Sequence, residues 1–313
     1  MMRRVTTVAE LQRVIAQFRA DGATVALVPT MGALHEGHLA LVRRAVVEAD
    51  VTVVSIFVNP RQFDRKDDLA AYPRSLDDDE DALRGLGEAT PDLVYAPDVD
   101  EMYPSPPAVT VTVDDSLADR LCGASRPGHF DGVATVVTKL FNQVQPDLAV
   151  FGRKDRQQLQ IIRRLVADLD VPVRIVPVST VRDPDGVAMS SRNRRLTTKQ
   201  RTDARVLAAA LAAAVEQTRA ARDAGGTVRI AELLTTMRDV LAEAPDVRLD
   251  YLEVVDPGTL GPPRPELPAT SRLIAAVAAF VGEVRLIDNV ELGDVDDEDA
   301  LLAGVRSSDE LGG

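Results

Sequence analysis

The sequence predicts an α/β protein, a Rossmann-like doubly wound parallel sheet followed by a smaller C-terminal α+β domain. Three observations carry this. Short β-branched runs alternate with helical patterns through the first half, several of those runs are apolar at consecutive positions, and the texture changes after about residue 183. Consecutive apolar positions are what parallel strands show when helices cover both faces of their sheet.

In chain order, TVALVPT (24–30), VTVVSIFV (51–58), DLVYAP (92–97), DLAVF (147–151) and VRIVPVST (173–180) read as strands. Between the first two lies EGHLALVRRAVVEAD, apolar at Leu39, Val42, Ala45 and Val46, a helical spacing. Strand, turn, helix and strand make a βαβ unit, and in such sheets ligands sit at the carboxyl ends of the strands. Beyond residue 183 the Ala-rich DARVLAAALAAAVEQTRAARDA predicts a long helix ended by Gly225 and Gly226, and RIAELLTTMRDVLAEA predicts a second. VRLDYLEVVD, SRLIAAVAAFVG and VRLIDNVEL then read as three strands of a mostly antiparallel sheet. The expected division is 1–182 for the first domain, 183–292 for the second, and 293–313 for an acidic, disordered tail.

The 313 residues exceed a typical single domain, and a hydrophobic fraction of 45% suffices for real cores. A formal net charge of −13 lacks the basic footprint of a nucleic-acid binder. The single cysteine, Cys122, cannot form an internal disulfide and reads as a small packing residue. No run reaches the roughly 18 apolar residues of a membrane span, so a cytoplasmic location is expected.

The most informative segment is VPTMGALHEGHLALVRRA (28–45), which sets Met31, Gly32, Ala33, Leu34, His35, Glu36, Gly37 and His38 between a predicted strand and helix. Gly32 and Gly37 let the backbone approach an anion, first-turn N–H groups point at it, and two imidazoles add donors. A zinc-protease pair does not fit, because those ligands stand at i and i+4 within a helix, whereas these stand at i and i+3 across a glycine. Other segments are ambiguous by themselves. Lys154 and Asp155 follow an apolar strand and Gly152, as a phosphate-reaching pair or as a surface ion pair. Ser190, Ser191 and Arg192 fit either an anion-gripping loop or a capped linker. Asp77, Asp78 and Asp79 suit helix capping better than Mg²⁺, and His129 reads equally as structural or as a pocket wall.

HEGH resembles the His-x-Gly-His signature of the nucleotidyltransferase superfamily shared with class I aminoacyl-tRNA synthetases. The longer PTMGALHEGH resembles the pantothenate synthetase family, as do SIFVNPRQF (55–63), RPGHFDGVATVVTKLFNQVQPDLAVFG (126–152), GRKDRQQL (152–159) and VAMSSRN (187–193). These cover most of residues 24–195, with weaker likeness at DYLEVVD and RLIDN.

The resemblance implies a two-step ligase using ATP with Mg²⁺, in which pantoate forms an acyl-adenylate that β-alanine then attacks. It implies His35 and His38 on the phosphates, with Lys154, Ser190, Ser191 and Arg192 gripping the triphosphate. Gly152, Arg153, Asp155 and Met189 belong to the same nucleotide-binding segments. Gln62 and Gln158 would hold pantoate, Gln62 also lying near β-alanine, and Met31 and Val181 would wall the adenine. No resident metal site is implied; a homodimer is. The family usually carries Glu at Arg153, an aromatic at Arg156 and a smaller or neutral residue at Arg61, so extra positive charge around the pocket is expected. A nucleotidyltransferase with a phosphorylated acceptor, or an inactive nucleotide-binding protein, are the alternatives.

Overall fold

The computed structural model describes residues 2–63, 66–105 and 109–310. The chain divides into two compact units. Met1–Asp119, Gly123–Arg153 and Gln158–Val178 form the first; Arg120–Cys122, Lys154–Gln157 and Ser179–Gly313 form the second. Three stretches expected in the first domain, 120–122, 154–157 and 179–182, cluster with the second unit.

The first unit is built on six parallel strands, β1 (Arg3–Val5), β2 (Val25–Thr30), β3 (Val51–Ile56), β4 (Leu93–Tyr95), β5 (Leu148–Gly152) and β6 (Arg174–Val178). Their spatial order is β1-β4-β3-β2-β5-β6. The winding reverses between β2 and β5, and a crevice at such a reversal, beyond the strand carboxyl ends, is where α/β sheets bind ligands. Ala26 and Val28 of β2 pack with Leu41, Val42 and Ala45 of the helix Glu36–Glu48. The alternate residues Val25 and Leu27 are equally buried, so both faces of the sheet are covered. The helices Val8–Ala20 and His129–Val144 pack together, the latter also against β2. Strand β1 escapes a sequence reading because three residues, two of them arginine, carry no apolar run.

In the second unit the strands β7 (Thr227–Arg229) and β9 (Glu266–Pro268) pair antiparallel in a small sheet. A second antiparallel sheet has the order β11-β10-β8, from β8 (Val247–Val255), β10 (Leu273–Val281) and β11 (Val284–Leu292). The Ala-rich helix Thr198–Asp223 opens with a capping box between Thr197 and Gln200. It buries Val206, Leu207, Leu211 and Val215 in a core shared with Leu233 and Met237 of the helix Ile230–Leu241 and Val277 of β10.

The segment after Gly293 departs from the disordered tail expected. Val295–Glu310 form a helix, with Leu301 and Leu302 buried in that core. Its acidic composition misled because the carboxylates are structural. Glu298, fully buried, accepts from Gly293 N–H at 2.7 Å and pairs with Arg219 and Arg222 at 2.8 and 2.7 Å. Residues 311–313 of the expected tail lie outside the described residues.

Candidate active site

The turn after β2 is shaped by two successive left-handed residues, Gly32 at φ +78° and Ala33 at φ +51°. Left-handed backbone is unfavourable for alanine by about 1–2 kcal/mol, so something must hold it. Asp79, 3% exposed, does so: its two carboxylate oxygens accept Ala33 N–H at 3.0 Å and Leu34 N–H at 2.7 Å. Thr30 Oγ1 accepts Gly32 N–H at 3.2 Å and donates to Ser55 O at 2.8 Å, tying the turn to β3. Asp79 therefore clamps the turn from another helix.

That clamp delivers the chain to His35, the N-cap of the helix Glu36–Glu48. Its carbonyl accepts His38 N–H at 2.8 Å, and the two rings lie 4.1 Å apart, centroid to centroid. His38 Nδ1 accepts His35 N–H at 3.4 Å. With Nδ1 an acceptor, the neutral ring carries its proton on Nε2, a donor. Glu36 pairs with Arg43, and its carboxylate is taken up on the helix surface. Gly152, at the end of β5, borders the same helix at Leu41.

Gln62 lies in a single 3-10 turn, Pro60–Gln62, and is held from several sides. Its Nε2 donates to Met31 Sδ at 3.0 Å, and its Oε1 accepts from Asn59 Nδ2 at 3.1 Å. Asn59 Nδ2 also donates to Gly132 O at 3.0 Å, and Tyr103 O–H donates to Asn59 Oδ1 at 3.0 Å. Burial pushes the Tyr103 phenol up to about 12, keeping it a donor. The Gln62 carbonyl lies 2.7 Å from His129 Nδ1 and accepts Arg126 Nη2 at 3.1 Å. His129 thus supports the Gln62 turn. A Cβ on Gly132 would fall 2.3 Å from Arg61 O, so only glycine lets the helix His129–Val144 approach this turn. Arg61, expected to add charge to a pocket, stacks over the Tyr103 ring at 5.7 Å.

The first unit thus joins Met31 to Gln62 and His35 to His38, while Gln158 stands half-buried early in the helix Arg156–Asp168. Arg153 is half-buried, and nothing in the structure explains its replacing Glu.

The second unit holds Lys154, Asp155, Val181, Met189, Ser190, Ser191 and Arg192. Residues 181–189 form a hairpin around Gly186, at φ +84°, in which Met189 N–H donates to Val181 O at 3.0 Å. One backbone pairing therefore sets the adenine-wall candidate Val181 and its neighbour Met189 together. Ser190 caps the 3-10 turn Ser191–Arg195, its Oγ accepting Arg192 N–H at 3.3 Å. Asn193 Nδ2 donates to Ala188 O at 3.1 Å and closes the loop on the hairpin. Lys154 is half-buried and Asp155 exposed. Arg156, 6% exposed, departs from the charge expected of it: Glu291 at 2.8 Å and Asp297 at 3.0 Å neutralise it inside this unit.

Sequence reading missed the clamping of the turn by Asp79, the Tyr103–Asn59–Gln62 chain and the acceptors of Arg156. Each joins residues far apart in sequence, and only the buried position of a charged or polar group reveals it.

The pantoate-beta-alanine ligase family profile matches residues 3–291. The pantothenate synthetase of Corynebacterium glutamicum (strain R) is 52% identical over 272 residues, spanning 86% of this chain and 94% of that one. A solved pantothenate synthetase of Thermus thermophilus superposes with TM-score 0.83 at 46% identity, covering 93% of this chain and 99% of that one. The Francisella tularensis pantoate-beta-alanine ligase, solved with beta-gamma ATP and beta-alanine, gives TM-score 0.72 at 30% identity, covering 93% and 98%. Neither a phosphorylated-acceptor nucleotidyltransferase nor an inactive binding protein is favoured by these likenesses. The chain belongs to the pantoate–β-alanine ligase family and joins pantoate to β-alanine in pantothenate biosynthesis.

Proposed function

We propose that the ligation runs through ATP and a pantoyl-adenylate. A carboxylate oxygen of pantoate attacks the α-phosphorus, and the bond to pyrophosphate breaks. The β-alanine amine then attacks the acyl carbon, AMP leaves with the bonding pair, and the amine proton passes to solvent. Both nucleophiles belong to substrates, so the protein's work is alignment and stabilisation of charge. The observation that carries this reading is the turn of residues 31–38, a glycine-containing helix start with paired imidazoles at the winding reversal of a parallel sheet.

Within it, His38 Nε2–H is the donor to charge developing on the leaving phosphate, with His35 beside it. Lys154, Ser190, Ser191 and Arg192 hold the triphosphate. Gly32, Ala33, Leu34, Gly37, Gly152, Arg153, Asp155 and Met189 border the nucleotide, and Met31 and Val181 wall its base. Gln62 and Gln158 bind pantoate, and the rigid support around Gln62 is what a specificity group needs. Mg²⁺ accompanies ATP as the counter-ion of its phosphates. Among the described residues no group of three or more His, Cys, Asp or Glu could hold a metal. A homodimer and a cytoplasmic location belong to the same proposal; light scattering on the purified chain checks the first. No helix among the described residues is long and apolar enough to cross a membrane.

The direct experiment follows pyrophosphate from MgATP and pantoate, with and without β-alanine, with AMP and pantothenate measured by mass spectrometry. Pantoate-dependent pyrophosphate, with multiple turnovers only when β-alanine is present, is expected. Folded protein that binds ATP yet ignores pantoate overturns the adenylate route.

A further inference from the structure

Arg156, where the family resemblance leads to an aromatic being expected, is buried two residues from the lysine proposed to grip the triphosphate. Its guanidinium donates to Asn289 Oδ1 at 3.3 Å, Glu291 Oε2 at 2.8 Å and Asp297 Oδ2 at 3.0 Å. The first two stand on β11 and the third on the C-terminal helix Val295–Glu310. Asp297 Oδ2 also accepts Glu291 N–H at 2.8 Å, and Arg272 pairs with the other oxygen of Glu291 at 2.5 Å. Every charge in this buried cluster is answered, the condition under which such a cluster fixes geometry instead of merely costing desolvation.

Asn289 does a second job. Its Oδ1 is oriented by Arg156, and its Nδ2 donates to the backbone carbonyl of Lys154 at 2.8 Å. One amide therefore couples the cluster to the residue proposed to hold the triphosphate. Asp288, the neighbour on β11, accepts Arg182 Nη1 and Nη2 at 2.6 and 3.0 Å. Arg182 in turn donates to Gly186 O in the hairpin that precedes Ser190. β11 also packs against the 3-10 turn Ser191–Arg195. The C-terminal helix reaches the same hairpin, since a Cβ on Gly304 would lie 2.8 Å from Arg182 Cδ and one on Gly186 would lie 3.2 Å from Gly304 O.

We infer that Arg156, Asn289 and Asp297 are positioning residues for Lys154, and that the C-terminal helix, which lies beyond the family match at 3–291, locks the ATP-gripping segments of the second unit in place. This rests on the proposed role of Lys154. A guanidinium forked between two carboxylates resists rotation in a way that a point charge cannot, so the Lys154 main chain is held at a fixed height over β11.

The test is a mutant cycle on the full-length enzyme, measuring pyrophosphate release with KM for MgATP and for pantoate determined separately. Asp297→Asn is expected to raise KM for ATP by about three- to tenfold while leaving KM for pantoate unchanged, a coupling of the size found between residues sharing a network. Placed on Lys154→Ala, the same change should add almost nothing, because its effect runs through that lysine. Arg156→Lys, which keeps the charge and loses the fork, should repeat the result if Asp297→Asn folds poorly. Equal effects with and without Lys154, or a lowered melting temperature with an unchanged KM for ATP, would reduce the cluster to a structural one. If Lys154→Ala alone behaves as wild type, the reading of Lys154 fails, and the positioning proposal fails with it.

Discussion

The carboxylate of Asp79 accepts the backbone N–H of Leu34 at 2.7 Å, across 45 residues of chain. With the Ala33 N–H on its other oxygen, this one side chain sets the turn from which both histidines follow. Asp79→Asn replaces one acceptor oxygen with a donor that faces an N–H group. Loss of a charge-assisted bond in a buried place costs about 1.5–3 kcal/mol. The expected outcome is a stability loss of that size by denaturant melts, with turnover reduced about tenfold or more.

Gly32→Ala should be worse than Asp79→Asn. Its φ of +78° strains any side chain, and the new Cβ would sit 2.7 Å from Asp79 Oδ2. Turn and clamp cannot both keep their places, so purified variant is expected to show lower melting temperature and weakened ATP binding by calorimetry.

His38→Ala removes the donor proposed for developing charge, and losses of such a donor cost about 2.7–4 kcal/mol, roughly a hundred- to thousand-fold in kcat. The circular dichroism spectrum should be unchanged. Activity within twofold of wild type would exclude His38 from the chemistry.

His129→Phe keeps an aromatic ring, somewhat larger, and loses the hydrogen bonds to Gln62 O and to Arg126 Nη1. Gln62 then loses one anchor of its turn while Arg126 keeps the other. An increase in KM for pantoate of about three- to tenfold is expected, the coupling scale for contacting residues, with KM for ATP nearly unchanged.

Glu80 is buried, and its hydrogen bonds to Arg4 and then Arg84 hold its carboxyl below the usual glutamate range. A folded-state pKa below the unfolded one means that the stabilisation is fully present above the unfolded value, about 4.3. It is lost as pH falls through the lower, folded value. Glu80→Gln should therefore melt below wild type at pH 7, and the gap should close in acid; a gap that widens below pH 4 would contradict this.

The parallel sheet was legible because β2, β3 and β5 are apolar on both faces, a pattern that helices on both sides produce. The histidine turn was legible because Gly32, His35 and His38 are local to one another. What stayed hidden was set by distance or by charge. Asp79 looked like a member of an acidic helix start, and nothing in its own neighbourhood tells that it reaches Ala33. The C-terminal helix was illegible for the opposite reason: Asp297 and Glu298 resemble solvated charge until their partners Arg156, Arg219 and Arg222 are brought beside them. Composition counts charges, whereas folding pairs them.

Gly132 carries a further consequence. The helix His129–Val144 touches Arg61 O at the range of a missing methyl group, and the adjoining residue is Gln62. With Gln62 proposed to bind pantoate, the room on that side is set by how closely this helix backbone approaches the 60–62 turn. Engineering this ligase toward bulkier hydroxy acids is therefore a problem of backbone spacing first: the helix backbone at Gly132 already meets Arg61, and trimming the Gln62 side chain leaves that spacing unchanged.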